Sequence, residues 1–181
     1  MEGLSRRARL PWGRMERWSI DLQKEAFKFS AAHFLIFPDG SAERLHGHNY
    51  RVFVEIAAEL TRFGLVVDFK TVKPVVREIC DRLDEHWLVP GEHPVLTWGR
   101  RADGIVEVRY KDRYYAAPSD DVLVLPINNT SSENLAAYFA RELRRLLEDR
   151  FEDLRVRSLR VAVEETSGQR GVYTVDEDVE S

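Results

Sequence analysis

The sequence predicts an α+β fold, an antiparallel sheet with two helices on one face. Three observations lead there. Strand-like alternation of apolar and polar residues recurs in separate stretches, two stretches carry an apolar stripe of helical period, and strands and helices are segregated along the chain rather than strictly alternating.

The first alternating stretch is Glu25 to His33, where Phe27, Phe29, Ala31 and His33 fall on one face. Pro38-Asp39-Gly40-Ser41 has turn chemistry. Leu45 to Ile56 alternates again, with His46, His48, Tyr50, Val52, Val54 and Ile56 on one face, so the two strands form a wide hairpin. After Val66-Val67-Asp68, the residues Phe69, Val72, Val75, Val76, Ile79 and Leu83 fit a 3.6-residue period, with Pro74 expected within a first turn. Residues 91 to 125 are harder to read. Ile105 to Tyr110 and Arg113 to Ala116 form a small hairpin around Lys111-Asp112, and Val122 to Leu125 is a short apolar strand. Thr130-Ser131-Ser132-Glu133 has capping-box spacing and opens a second helix, whose buried stripe is Leu135, Phe139, Leu143 and Leu146. Two strands close the chain, Val156 to Glu165 and Gly171 to Val175.

With 181 residues there is room for one domain and one sizeable core. Residues 1–20 read as a flexible basic extension (Arg6, Arg7, Arg9, Arg14, Arg17) with Met15 as an alternative start, and residues 21–181 as the domain. The extension has no continuous apolar stretch behind its charges and is not a secretory signal. A net charge of −4 points away from a nucleic-acid surface, and no apolar run reaches the roughly 18 to 20 residues of a membrane helix. Cys80 is the only cysteine, which excludes an intrachain disulfide and agrees with a cytoplasmic protein.

The first functional signal is the grouping of three of the five histidines on two neighbouring strands. His46 and His48 point the same way, one pleat apart, and His33 ends the preceding strand. If the strands pair, three imidazoles converge on one point. Zinc favours nitrogen donors, and catalytic zinc commonly takes three protein ligands and keeps one position open. No fourth protein ligand is expected nearby. A lone histidine on an apolar strand face is an ordinary core residue, and an H-x-H pair occurs in other β-proteins; it is His33 that makes metal the better reading.

His33, followed by Glu43-Arg44-Leu45-His46-Gly47-His48-Asn49-Tyr50, resembles the family of 6-pyruvoyl-tetrahydropterin and 6-carboxytetrahydropterin synthases. The resemblance extends through Phe29-Ser30-Ala31-Ala32-His33, Val67-Asp68-Phe69, Leu83-Asp84, Thr130-Ser131-Ser132-Glu133-Asn134 and Val161-Ala162-Val163-Glu164-Glu165-Thr166, in order over about residues 25 to 175. It implies the tunnelling fold (T-fold), a four-stranded antiparallel sheet backed by two helices, here with a small extra hairpin. It also implies a homo-oligomer, a hexamer built from trimers with active sites between subunits, and a small-molecule pterin substrate, usually 7,8-dihydroneopterin triphosphate.

The same resemblance makes His33, His46 and His48 the Zn2+ ligands and Glu165 the carboxylate that grips the pterin ring. Glu165 also stands out by itself, as a charge where the stripe Leu159, Val161, Val163 ends. Glu133, Ser132 and Ser131 match further pterin-pocket residues, although helix capping alone would explain Glu133. Relatives usually carry a catalytic cysteine in the loop before H-G-H, and this loop has none. Glu43, three residues before His46, instead resembles the branch in which glutamate is the base and the product is 6-hydroxymethyl-7,8-dihydropterin. The family's Leu-Asp-His relay appears as Leu83-Asp84-Glu85-His86, so Asp84 and His86 are relay candidates, with Glu85 competing for the histidine's place. Three readings stay open: a zinc lyase forming the hydroxymethyl product, a 6-carboxytetrahydropterin (or 6-pyruvoyltetrahydropterin) synthase, and a pterin- or purine-binding protein without catalysis.

Overall fold

The computed structural model describes residues 17–152 and 154–177. The expected extension lies outside the described residues as far as residue 16, while Trp18 to Ile20 already belong to the first strand.

The principal sheet has six strands in the order β7-β3-β1-β2-β8-β9, not the four expected. β1 (Trp18–His33), β2 (His46–Ala58), β8 (Val156–Thr166) and β9 (Gln169–Asp176) are its antiparallel part and match the four alternating stretches. β3 (His86–Pro90) adds to β1 in parallel, and β7 (Val122–Leu125) adds to β3 in parallel. The sheet is therefore mixed. Parallel neighbours require crossovers. Helix α1 (Phe69–Leu83) provides the one before β3, and the small hairpin region provides the one before β7. That region is itself a three-stranded sheet, β4 (Thr97–Arg100), β5 (Ile105–Tyr110) and β6 (Arg113–Pro118).

Helices α1 and α2 (Ser132–Arg150) bury their apolar stripes against one face of the antiparallel strands, around Phe29, Tyr50, Val52, Ile56, Leu159 and Val161. Phe69, expected in the stripe of α1, is exposed. Pro74 is the sixth residue of α1, in its second turn rather than its first, where it leaves the Lys70 carbonyl without an intrahelical donor. The N-cap of α2 is Ser131, one residue later than the expected capping box, and its hydroxyl accepts from the Asn134 N–H at 3.3 Å. Thr130 does not cap because it is buried and its hydroxyl donates to the Phe34 carbonyl at 3.0 Å. A second core joins Phe34 and Ile36 to Trp87, Val106, Val108 and Tyr110, tying the β1–β2 loop to the inserted sheet.

Close packing at Gly171 brings the start of α2 onto the β8–β9 hairpin. A Cβ at this residue would lie 2.2 Å from the Glu133 nitrogen and from the Ser132 carbonyl carbon. Only glycine allows that approach.

Candidate metal centre and active site

The register of the sheet builds the centre. His33 is directly opposite His46, and His48 is opposite Ala31, two residues along β1. Cross-strand partners point to one side and so do residues two apart, so all three imidazoles share a face. Their ring centroids lie 4.8, 5.3 and 4.8 Å apart for the pairs His33–His46, His33–His48 and His46–His48. β8 contributes the fourth member. Val52 pairs with Val163, and Glu165 emerges two residues later on the same side. One donor atom from each of His33, His46, His48 and Glu165 falls within 4.8 Å of the others. The expectation that no fourth protein donor is near is thus corrected: Glu165 stands in the cluster, brought there by β2–β8 pairing that no local spacing reveals.

Hydrogen bonds fix which nitrogens face inward. His33 Nδ1 lies 3.1 Å from the Thr130 carbonyl oxygen and His46 Nδ1 lies 2.7 Å from that of Arg44. A carbonyl only accepts, so each Nδ1 carries the proton and each Nε2 presents a lone pair. His33 Nε2 is buried and makes no hydrogen bond, although Glu165 Oε1 is 3.0 Å away. A bare imidazole lone pair facing a carboxylate oxygen at that distance is repulsive unless positive charge sits between them. A cation, or a proton in its absence, supplies it. His46 Nε2 and His48 Nε2 approach to 2.9 Å, and Glu165 Oε1 is 3.3 Å from His48 Nε2. Orphaned nitrogen, fixed tautomers and an imidazole-rich donor set fit a divalent metal of the zinc type.

Protonation follows the same geometry. The approach to His33 holds the Glu165 carboxyl below the ordinary carboxylate range, against the effect of burial. Burial pushes His48 down toward its neutral, ligating form, opposed by the nearby Glu165 charge. Burial and Glu165 together push the Tyr50 phenol upward, so it stays an O–H, 3.5 Å from Glu165 Oε1. Tyr50 shares the histidine face by alternation, the signal that could have given it a place in the site.

The catalytic candidates are scattered by comparison. Glu43 is closest, with Oε2 3.9 Å from His46 Nε2 and accepting from the Leu35 N–H at 3.1 Å. Asp84 and His86 lie outside the four-donor cluster. Asp84 ends α1, and its Oδ1 accepts from the Ser30 N–H at 2.6 Å. Glu85 takes a left-handed conformation (φ 59°) and its N–H donates to the Ser30 carbonyl at 2.7 Å. The residue extra to Leu-Asp-His is therefore absorbed by a turn, and His86 Nδ1 packs on the Asp84 carbonyl at 2.6 Å. Ser131 caps α2, Ser132 is half-buried, and Glu133 is exposed in the first turn; none of them joins the cluster directly. They are linked to it through the Thr130 carbonyl that holds His33.

The chain and its fold have counterparts among known proteins. A family model described as 6-pyruvoyl tetrahydropterin synthase matches residues 21–176. A Methanocaldococcus jannaschii protein provisionally named 6-carboxy-5,6,7,8-tetrahydropterin synthase is 35% identical over 150 residues, covering 81% of this chain and 88% of that protein. The crystal structure of 6-pyruvoyl tetrahydropterin synthase from Plasmodium vivax superposes with a TM-score of 0.82 at 27% identity, covering 90% of this chain and 99% of that one. A solved variant of the Plasmodium vivax enzyme, described as a catalytic residue mutant, has a glutamate replaced by alanine. The Plasmodium falciparum enzyme gives a TM-score of 0.79 at 26% identity, covering 89% and 99% of the two chains. With most of its length matched in sequence and in fold, this chain belongs to the 6-pyruvoyl tetrahydropterin synthase family.

Proposed function

We propose that the protein is a zinc-dependent lyase that cleaves the side chain of 7,8-dihydroneopterin triphosphate and releases 6-hydroxymethyl-7,8-dihydropterin. Family membership makes it a pterin synthase or lyase. The observation that carries the finer reading is Glu43, a carboxylate beside His46 in a loop without cysteine. The one cysteine, Cys80, is no substitute: it is buried in α1 and burial pushes its thiol up to about 12. The glutamate described as a catalytic residue in the Plasmodium vivax enzyme supports the same choice.

In this reading His33, His46 and His48 would hold the metal, which when bound would supply Lewis acidity toward the side-chain hydroxyls. Glu43 takes the proton from the hydroxyl on the second side-chain carbon. That carbon leaves as an aldehyde as its bond to the first breaks, and the electron pair stays on the first carbon, delocalised into the ring until it is reprotonated. Glu165 accepts two hydrogen bonds from the amino group and ring N–H of the pterin. Ser131, Ser132 and Glu133 complete the pterin pocket, and Asp84 with His86 relays protons. A trimer-based hexamer in the cytoplasm belongs to the same proposal. Among the described residues no helix is long and apolar enough to cross a membrane.

Incubating the metal-loaded protein with 7,8-dihydroneopterin triphosphate and identifying the pterins by mass tests this. The hydroxymethyl product is expected, and unreacted substrate over a fully loaded centre would overturn it. A second reading, formation of 6-carboxytetrahydropterin, is favoured by the name of the Methanocaldococcus jannaschii relative, and the same assay separates the two by product mass.

A further inference from the structure

The inserted sheet β4–β6 has no task in the reaction above, yet its β5–β6 turn reaches the segment that carries Glu43. We propose that this turn is the support of the Glu43 loop and that Arg113 is its positioning residue, an inference that rests on Glu43 being the base.

The segment between β1 and β2 folds back on itself as a short antiparallel pair. The Glu43 N–H donates to the Leu35 carbonyl at 2.9 Å, the Phe37 N–H to the Ser41 carbonyl at 2.9 Å, and Ile36 bridges Ala42. Its inner limb is held from the segment just before α2. Asn129 Nδ2 donates to the Ile36 carbonyl at 2.8 Å, and the Thr130 hydroxyl donates to that of Phe34. The outer limb, which bears Glu43, presents the carbonyls of Gly40, Ala42 and Glu43 to the inserted sheet. Arg113 donates from one guanidinium nitrogen to the Glu43 carbonyl and from the other to the Ala42 carbonyl, the latter at 2.7 Å. Lys111 and Tyr110 both donate to the Gly40 carbonyl, the tyrosine at 3.0 Å.

The turn is shaped for this. Tyr110 and Arg113 are the last paired residues of the hairpin, and Lys111 closes it in a left-handed conformation (φ 51°). A planar guanidinium can satisfy two successive carbonyls at once, whereas a single ammonium is a point charge with no fixed fork. Arg113 is half-buried and makes both bonds to backbone, so it acts on where Glu43 stands and not on the metal. The stacked pair Phe34–Tyr115, with centroids 5.6 Å apart, fastens the two layers beneath it. A carboxylate 3.9 Å from a metal-binding histidine on a two-limbed loop requires such bracing. Displacement by about 1 Å can cost a hundredfold in rate.

The test compares Arg113→Met and Arg113→Lys with Arg109→Met, a control on the exposed side of the same hairpin. In the metal-loaded proteins, amide exchange in residues 35–43 is expected to quicken about tenfold or more in Arg113→Met, with β2, β8 and zinc content unchanged. On 7,8-dihydroneopterin triphosphate, kcat should fall about tenfold to a hundredfold with KM nearly constant. Arg113→Lys should recover part of both effects and Arg109→Met should show neither. Unchanged exchange in the loop overturns the support. Quickened exchange with parental kcat, or a loss in KM alone, overturns the positioning role. If the parent protein leaves this substrate unreacted, the proposed function fails and the positioning role fails with it. Exchange, read without substrate, still decides whether Arg113 holds the loop.

Discussion

The two halves of the site are built in different ways. The proposed metal half stands on a sheet: His33, His46 and His48 are placed by the pairing of β1 with β2, and Glu165 follows the last pair of β2 with β8. The proposed catalytic half stands on loops and element ends, with Glu43 in a returning segment, Asp84 at the end of α1 and His86 at the start of β3. A register cannot slip without turning each histidine to the other face. A loop is held by individual side-chain bonds and can drift by fractions of an ångström. Within one family, ligands on a frame can stay while the reaction changes with the loop.

The largest effect should come from breaking the sheet-built half. His33→Ala removes the buried ligand and is expected to abolish metal retention, read as zinc per chain after dialysis; parental zinc content would remove the ligand assignment. Next is Gly171→Ala, because the new Cβ would meet backbone that cannot turn aside. A loss of about 1–3 kcal/mol is expected in denaturant unfolding, with weaker metal binding as the Thr130 carbonyl moves from His33. Asp84→Asn keeps the shape but weakens the bond from the Ser30 N–H, for about 1 kcal/mol in the same measurement. A loss well above that, or none, would give the carboxylate a different task from tying the end of α1 to β1. Smallest is alkylation of Cys80. With its thiol pushed up to about 12 and fully buried, no labelling by iodoacetamide is expected at pH 8 in the folded protein. Rapid labelling would mean that α1 opens readily.

What could be read from the sequence follows the same division. Alternation in β1, β2, β8 and β9 and the stripes of both helices are local patterns, and the face shared by His33, His46 and His48 came with them. β3 and β7 were not legible as sheet members because parallel pairing depends on partners far along the chain. All four residues of β4 are exposed and carry no alternation. The N-cap of α2 moved one residue because Phe34 claims the Thr130 hydroxyl, a tertiary contact that capping rules do not contain. Glu165 was legible as a charge ending an apolar stripe, but its place against His33 depends on how β8 registers with β2.

Glu165→Gln sharpens the division from the metal side. Retained zinc with weakened pterin binding is expected for the pterin anchor, whereas loss of zinc would make Glu165 a fourth ligand. The division between holding metal and doing chemistry is read on one preparation of Glu43→Gln, by zinc content, pterin binding and turnover of 7,8-dihydroneopterin triphosphate. The expected result is parental zinc, parental pterin affinity and turnover near or below about 1% of the parent. Parental turnover would clear Glu43 of the base role, and loss of zinc would show that the two halves are not separate.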